Sequence, residues 1–366
     1  MINLRTVVTS VFLTGGCLTL MSQQLVMKDF TQSGEKTSAQ VLAYWTAEKM
    51  AAAIPRVGGA TGDPTPGPAQ AVGPVMSAPG QKPVQMEAAL DQYQNPITQG
   101  AFDVQPQEAG TFASYPYPFT RFYPWAGLYN GAYAYYPIYP YRTVGKLFFT
   151  LGRSNYVCSA SVIRPHLLLT ARHCVLDSAL GWATNVVFYP GYANGANSKL
   201  KVWTARRLAT WGFGGSGANL KWDIGFIQTN DEGGAGCNGS SGNHPVEWYT
   251  GYLGWLYGGY VGDRNYTSMG YPQAAPFNGL WQVEAHSDVG NIDPLTQPGT
   301  FSMGNDMTGG SSGGPWIVGF GSSNYANGLN SYKWTNPSRP LEMNSPNFQA
   351  DNFANLLTYA QGLACP

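Results

Sequence analysis

From Val144 onward the chain is a series of short apolar runs separated by Gly, Asn and Ser: "VGKLFFTLG", "YVCSASVI", "HLLLTA", "TNVVFYP", "WDIGFIQT", "WQVEA" and "GPWIVGF". Runs of about four to eight residues bounded by turn formers are the pattern of strands, and many in series predict an all-β sandwich or barrel. Two stretches carry a helical period instead. Residues 36–54, "KTSAQVLAYWTAEKMAAAI", set Val41, Leu42, Trp45 and Ala52 on one face, with Thr37 or Ser38 as cap and Pro55 as stop, although Glu48 and Lys49 interrupt that face. Near the end, "DNFANLLTYAQGLAC" spaces Phe353, Leu356 and Leu357 for a C-terminal helix.

Other stretches have no period. From Pro55 to about Gly100 the chain is Gly, Pro, Ala and Gln, which predicts a linker unable to bury enough apolar surface to fold alone. Tyr115 to Arg142, "YPYPFTRFYPWAGLYNGAYAYYPIYPYR", predicts an extended Tyr/Pro strap over a surface, with an adhesive or wall-binding segment as the alternative. At the start, Arg5 precedes an apolar stretch from Val7 to Leu20 that Gly15 and Gly16 break. It is too short for a membrane span and reads as a secretory signal over residues 1–23, so a secreted protein with no membrane span is expected. Cys17 after Thr14-Gly15-Gly16 loosely imitates a lipoprotein site, which leaves a periplasmic or lipid-anchored location as the alternative.

Composition narrows the classes further. Twenty basic residues balance twenty acidic ones and only 11% of the 366 residues are charged, against roughly 25% in an average globular protein. Nucleic acid is therefore not an expected partner. Forty-six Gly and 26 Pro suit short strands and turns. Five cysteines become four if Cys17 leaves with the signal. Those four suggest two disulfides out of three connectivities in an exported chain, and we take Cys158–Cys174 and Cys237–Cys365. The sequons at Asn238 and Asn265 matter only in a glycosylating cell.

The candidate chemistry centres on "MTGGSSGGPW", Met307 to Trp316, with two adjacent serines among glycines. A serine hydroxyl is a poor nucleophile unless a base, a group orienting that base and donors for an oxyanion surround it. Of the four histidines, His244 and His286 sit in loop-like surroundings and His166 opens an apolar strand. His173 follows "LLLTA" by one residue and precedes Cys174, whose bridge to Cys158 would pin its turn.

"VCSASVIRPHLLLTARHC", then "WDIGFI", then "TGGSSGGPW" resembles the chymotrypsin-like serine peptidases, most closely the exported microbial trypsin-like and glutamyl-endopeptidase-like branch. The resemblance covers most of residues 144–366 and keeps the chain order His, Asp, Ser. It implies two six-stranded antiparallel β-barrels with a C-terminal helix, preceded by a largely irregular pro-region. It also implies a secreted endopeptidase that acts on protein or peptide substrates without metal or organic cofactor, as a monomer. On this reading His173 is the general base, Asp223 its orienting acid and Ser312 the nucleophile, with the amides of Gly310 and Ser312 as the oxyanion hole. Ser312 is chosen over Ser311 because it precedes Gly313-Gly314-Pro315.

The sequence departs from the family pattern at three positions. Arg172 replaces a small residue before the base and would crowd His173 or, by repulsion, lower its pKa. Ser311 stands where trypsin has the Asp of its activation ion pair, and Thr308 replaces a cysteine. For specificity, the resemblance places Asp306 where trypsin binds a basic side chain, and Asn330, in "GLNSY", where glutamyl-specific relatives carry a His. The balance leans to basic residues. "YWTAEKMAAAIP" resembles the pro-segments of this branch, and Arg142 is the anticipated processing point. That divides the chain into a signal at 1–23, a pro-region at 24–142 that is removed or stays docked as an inhibitor, and a peptidase domain at 143–366. The contrary class is a catalytically inactive peptidase fold used for binding or adhesion.

Overall fold

The structure, a computed structural model, describes residues 24–56, 58–60, 73–83, 119–122, 128–129, 132–133, 138–212, 220–234, 236–237, 242–259, 261–262, 264–293, 299–334 and 341–363. The expected signal at 1–23, and Asn238 and Cys365, lie outside these residues.

The N-terminal part contributes β1 (Leu25–Asp29), α1 (Ser38–Tyr44), α2 (Ala47–Ala51), β2 (Ile54–Pro55), β3 (Gly58–Ala60), β4 (Met76–Ala78), β5 (Thr120–Phe122) and a small hairpin, β6 (Leu128–Tyr129) with β7 (Ala132–Tyr133). The first barrel uses β8 (Val144–Leu151), β9 (Ser154–Arg164), β10 (Leu167–Thr170), β13 (Thr184–Pro190), β14 (Trp203–Trp211) and β15 (Gly225–Thr229), with a side hairpin of β11 (Leu176–Asp177) and β12 (Gly181–Trp182). Its order is β14-β13-β8-β9-β10-β15, and pairing of β14 with β15 closes six antiparallel strands. The second sheet contains β16 (Gly254–Tyr257), β17 (Asn265–Gly270), β18 (Val283–Asp293), β19 (Thr300–Gly304), β20 (Pro315–Val318), β21 (Tyr325–Leu329), β22 (Tyr332–Trp334) and β23 (Glu342–Pro346). Its order is β22-β23-β19-β18-β17-β20-β21. Because β21 and β22 are consecutive pieces of one run, the sheet turns back on itself.

The apolar runs explain this layout. β8 is buried at every position, and Leu147, Phe149, Val157 and Leu169 are all inaccessible to solvent. Such runs, buried on both faces, read as continuous rather than alternating hydrophobicity. A helix at Asn355–Gly362, entered through a π turn at Ala350–Ala354, buries Phe353, Leu356 and Leu357, as their spacing predicts.

Two expectations for the N-terminal part need correction. The single helix over 36–54 is two, because Trp45 and Thr46 leave helical geometry and Thr46 Oγ1 accepts from the Lys49 amide to cap the second. Trp45 is instead drawn inward, its indole N–H donating to Asn185 O at 2.6 Å and its ring packing on Phe148. Thr37 does cap α1, in a reciprocal box with Gln40. The stretch from Pro55 is not wholly a structureless linker either, since β2, β3 and β4 each add to a sheet of the following domain. Gly and Ala carry no period, yet their backbones pair where a neighbouring edge is free.

Candidate active site

The fold brings His173 and Asp223 into hydrogen-bond contact and sets the Ser312 carbonyl oxygen 3.8 Å from Cys174 Sγ, beside the His173 turn. His173 lies in a 3-10 turn, Arg172–Cys174, directly after β10, and the Cys158–Cys174 disulfide ties that turn to β9. Asp223 follows the 3-10 turn Leu220–Trp222 and precedes β15. Ser312 lies in the Gly-rich turn before β20.

Asp223 is completely buried and its two oxygens are shared out. Oδ1 accepts from the His173 amide at 2.9 Å, while Oδ2 meets His173 Nδ1 at 2.9 Å and accepts from Ser331 Oγ at 2.5 Å. Burial alone would raise the pKa of this carboxyl. The His173 charge, the His173 ring bond and the Ser331 hydroxyl outweigh burial and hold it below its ordinary value. With Nδ1 facing a carboxylate, Nε2 is the nitrogen left to act, and it has no hydrogen-bond partner among the described residues. Arg172 does not crowd the ring: its guanidinium donates to the carbonyls of Trp211 and Leu176.

The turn bearing Ser312 is shaped by two glycines at positive φ. Gly310 has φ +98°, and a Cβ there would lie 2.7 Å from Tyr271 O; a Cβ on Gly313 would lie 2.1 Å from Thr170 Oγ1. Only Gly meets both demands. Ser311 turns away, its Oγ donating to Thr308 O. Ser159, on β9, joins the two halves. Its amide donates to Ser312 O at 2.7 Å and its hydroxyl to Gly310 O at 3.0 Å, while the same oxygen accepts from Tyr271 N at 2.8 Å.

The N-terminal part enters this cleft. Gly310 N donates to Arg56 O at 3.0 Å, and Ser312 Oγ donates to that carbonyl oxygen at 3.3 Å. The Arg56 guanidinium pairs with Asp177 and lies 5.3 Å from the centre of the Tyr156 ring. Ser331, Ser159, Arg56, Tyr156 and Asp177 were not singled out as residues in the sequence reading, although Tyr156 and Ser159 lie in the run "YVCSASVI" and Ser331 in "GLNSY".

The specificity candidates occupy different surroundings. Asp306 is paired with Arg121 on β5, and Lys333, on β22, donates to the adjoining Asn305 O at 2.9 Å. Burial raises the Asp306 pKa against the pull of Arg121 and Lys333, and burial lowers Lys333 to about 8 against Asp306 and Glu342. Asn330 is inaccessible to solvent, with Oδ1 accepting from Ser268 Oγ and Trp316 Nε1. It braces the wall of the site. Arg142, the anticipated processing point, is fully buried in the turn leading into β8, so cleavage there requires that turn to open. Cys237 is buried, and its expected partner, Cys365, is outside the described residues.

A closed six-stranded barrel beside a second sheet is the architecture of the chymotrypsin-like serine peptidases. No family model matches the chain. Among solved structures, a thermostable serine protease from an extremophilic microorganism is 30% identical with a TM-score of 0.53, the match covering 61% of this chain and 99% of that one. Protease Anisep from Arthrobacter nicotinovorans is 32% identical with a TM-score of 0.52, covering 61% and 95%. The chain belongs to the chymotrypsin-like serine peptidases. A curated relative, an extracellular metalloprotease of Bacillus subtilis (strain 168), is 27% identical over 126 residues, and the match spans 30% of this chain and 40% of that protein's length.

Proposed function

We propose that this chain is a secreted serine endopeptidase that cleaves peptide bonds through an acyl-enzyme. Ser312 attacks, His173 Nε2 takes its proton and later returns it to the leaving amine, and the buried Asp223 holds the ring and stabilises its charged form. The Gly310 and Ser312 amides receive the oxyanion. The observation that carries this reading is the full burial of Asp223 against the His173 amide and Nδ1, an arrangement that leaves Nε2 for chemistry. Export is supported by the residue 1–23 pattern, and among the described residues no helix is long and apolar enough to cross a membrane.

A metal mechanism, suggested by the name of the Bacillus subtilis relative, does not fit these residues. Cys158, His173 and Cys174 form a cluster of potential ligands, but the two sulfurs are bonded to each other and offer no thiolate. For specificity we favour a basic side chain on the acyl side of the cleaved bond, because Asp306 already holds the Arg121 guanidinium.

Labelling with a fluorophosphonate probe tests the function. Labelling should persist in Ser311→Ala and vanish in Ser312→Ala; the reverse pattern refutes the assignment, and no labelling after removal of the N-terminal part favours a binding module. Asp306→Asn should lower kcat/KM for Arg and Lys substrates at least tenfold relative to others.

A further inference from the structure

Residues 53–56 and 58–60 lie against both halves of the site. Ala53 O accepts from Gln273 Nε2 at 2.7 Å; Ile54 and Pro55 pair with Tyr156 and Val157; Arg56 N donates to Val157 O at 3.0 Å. Gly58, Gly59 and Ala60 then pair with Tyr332, Lys333 and Trp334, directly after the Ser331 that holds Asp223. We propose that this segment is a built-in inhibitor, its Arg56 carbonyl capping the oxyanion site and Ser312 while its guanidinium fills a cation subsite made by Tyr156, Asp177 and the His173 carbonyl. The inference rests on the peptidase reading above.

Three features make the arrangement inhibitory rather than productive. The Ser312 hydroxyl donates to the Arg56 oxygen, so its proton points away from His173 Nε2, which has no partner among the described residues. A serine in that state is not activated. The polarity is also inverted. Peptide hydrolysis expels the amine on the C-terminal side of the carbonyl, and that amine takes its proton from the histidine. Here the half of the segment beside the His173 turn is the N-terminal one, with Arg56 Nε donating to His173 O at 3.3 Å and Val157 adjoining the Cys158–Cys174 bridge, while the C-terminal half departs along β22. Both halves run parallel to the edges they meet, the less favourable of the two pairings. Finally, the guanidinium is held by a carboxylate, a carbonyl and an aromatic face, which fits a planar cation and sets the register of the whole segment.

The test compares fluorophosphonate labelling rates of the intact chain. Arg56→Ala and Asp177→Asn should each label at least tenfold faster than the unmodified chain, with Arg56→Lys between. As a control on folding, a synthetic peptide spanning Ala52–Ala60 should slow labelling of the Arg56→Ala chain and be recovered uncut, whereas the same peptide with Ala for Arg should do nothing. Labelling of Arg56→Ala at the unmodified rate, while Ser312→Ala abolishes it, overturns the inhibitor and leaves the peptidase standing. A Ser312-dependent cut after Arg56 overturns it also, since the segment would then be substrate. Absence of labelling in every chain, including one freed of its N-terminal part, removes the peptidase reading and the inference together.

Discussion

Replacing Gly310 with alanine should damage catalysis far more than folding. At φ +98° an L-residue lies in territory that costs roughly 1–2 kcal/mol even at its most favourable left-handed point. The added Cβ would also meet Tyr271 O at 2.7 Å and Gln273 N at 3.1 Å, and neither can step aside. Tyr271 N is held by Ser159 Oγ at 2.8 Å, and Gln273 N donates to Gly309 O at 2.7 Å. The strain is therefore relieved by rotating the peptide between Gly309 and Gly310, which swings its N–H out of the position now filled by the Arg56 carbonyl. Loss of one such donor costs about 10²–10³ in kcat. The stability cost, about 2 kcal/mol, corresponds to a fall in Tm of roughly 4–8 °C for a domain of this size. The assay is kcat/KM on a peptide ester at a temperature well below the variant's Tm, with calorimetry on the same sample. A folded Gly310→Ala enzyme within threefold of the parent would refute the assignment of this amide to the oxyanion.

Ser331→Ala removes one of the bonds that hold the Asp223 carboxyl below its ordinary value, so that carboxyl should titrate higher when followed by NMR; an unmoved titration with reduced kcat would mean a purely structural role. At the other end of the chain, Asp29 is lowered to about 2: partial burial raises it, but bonds from Thr31 and Arg207 prevail. A depressed folded value stabilises docking above the ordinary carboxylate range and loses that contribution as pH falls from about 4 to about 2, so amide exchange at Leu25–Asp29 should accelerate across that window. Joint replacement of Cys158 and Cys174 by serine should cost about 3 kcal/mol, as expected for a closed loop of this length, and calorimetry under non-reducing conditions reads it directly.

How far the sequence revealed this depends on where each signal lay. Thr184–Pro190 coincides with its apolar run because the strand packs on both faces. Trp203–Trp211, Thr300–Gly304 and Glu342–Pro346 went unmarked: they bury Thr210, Ser302 and Asn344, polar side chains at interior positions that give a strand no apolar signature. His173, Asp223 and Ser312 could be singled out because each sits in a motif whose neighbours matter, such as the Cys after His173 and the glycines around Ser312. Ser159 and Ser331 lie inside quoted stretches, "YVCSASVI" and "GLNSY", but a single hydroxyl among strand residues or between two strands gives no sign of its distant partner. Arg56 was hidden most completely, since its carbonyl meets a side chain 256 residues away in a stretch that lacks periodicity.

The two hydrogen bonds from Ser159 to the serine turn have a consequence for durability. The Ser312 carbonyl is fastened to the first barrel, so the geometry of its turn belongs to the joint between the barrel and the second sheet rather than to either. On warming, a slight parting of that joint should precede the loss of a strand from the barrel or the second sheet. Activity should therefore be lost on heating before secondary structure is, and residues that clamp the joint are the ones to strengthen against heat.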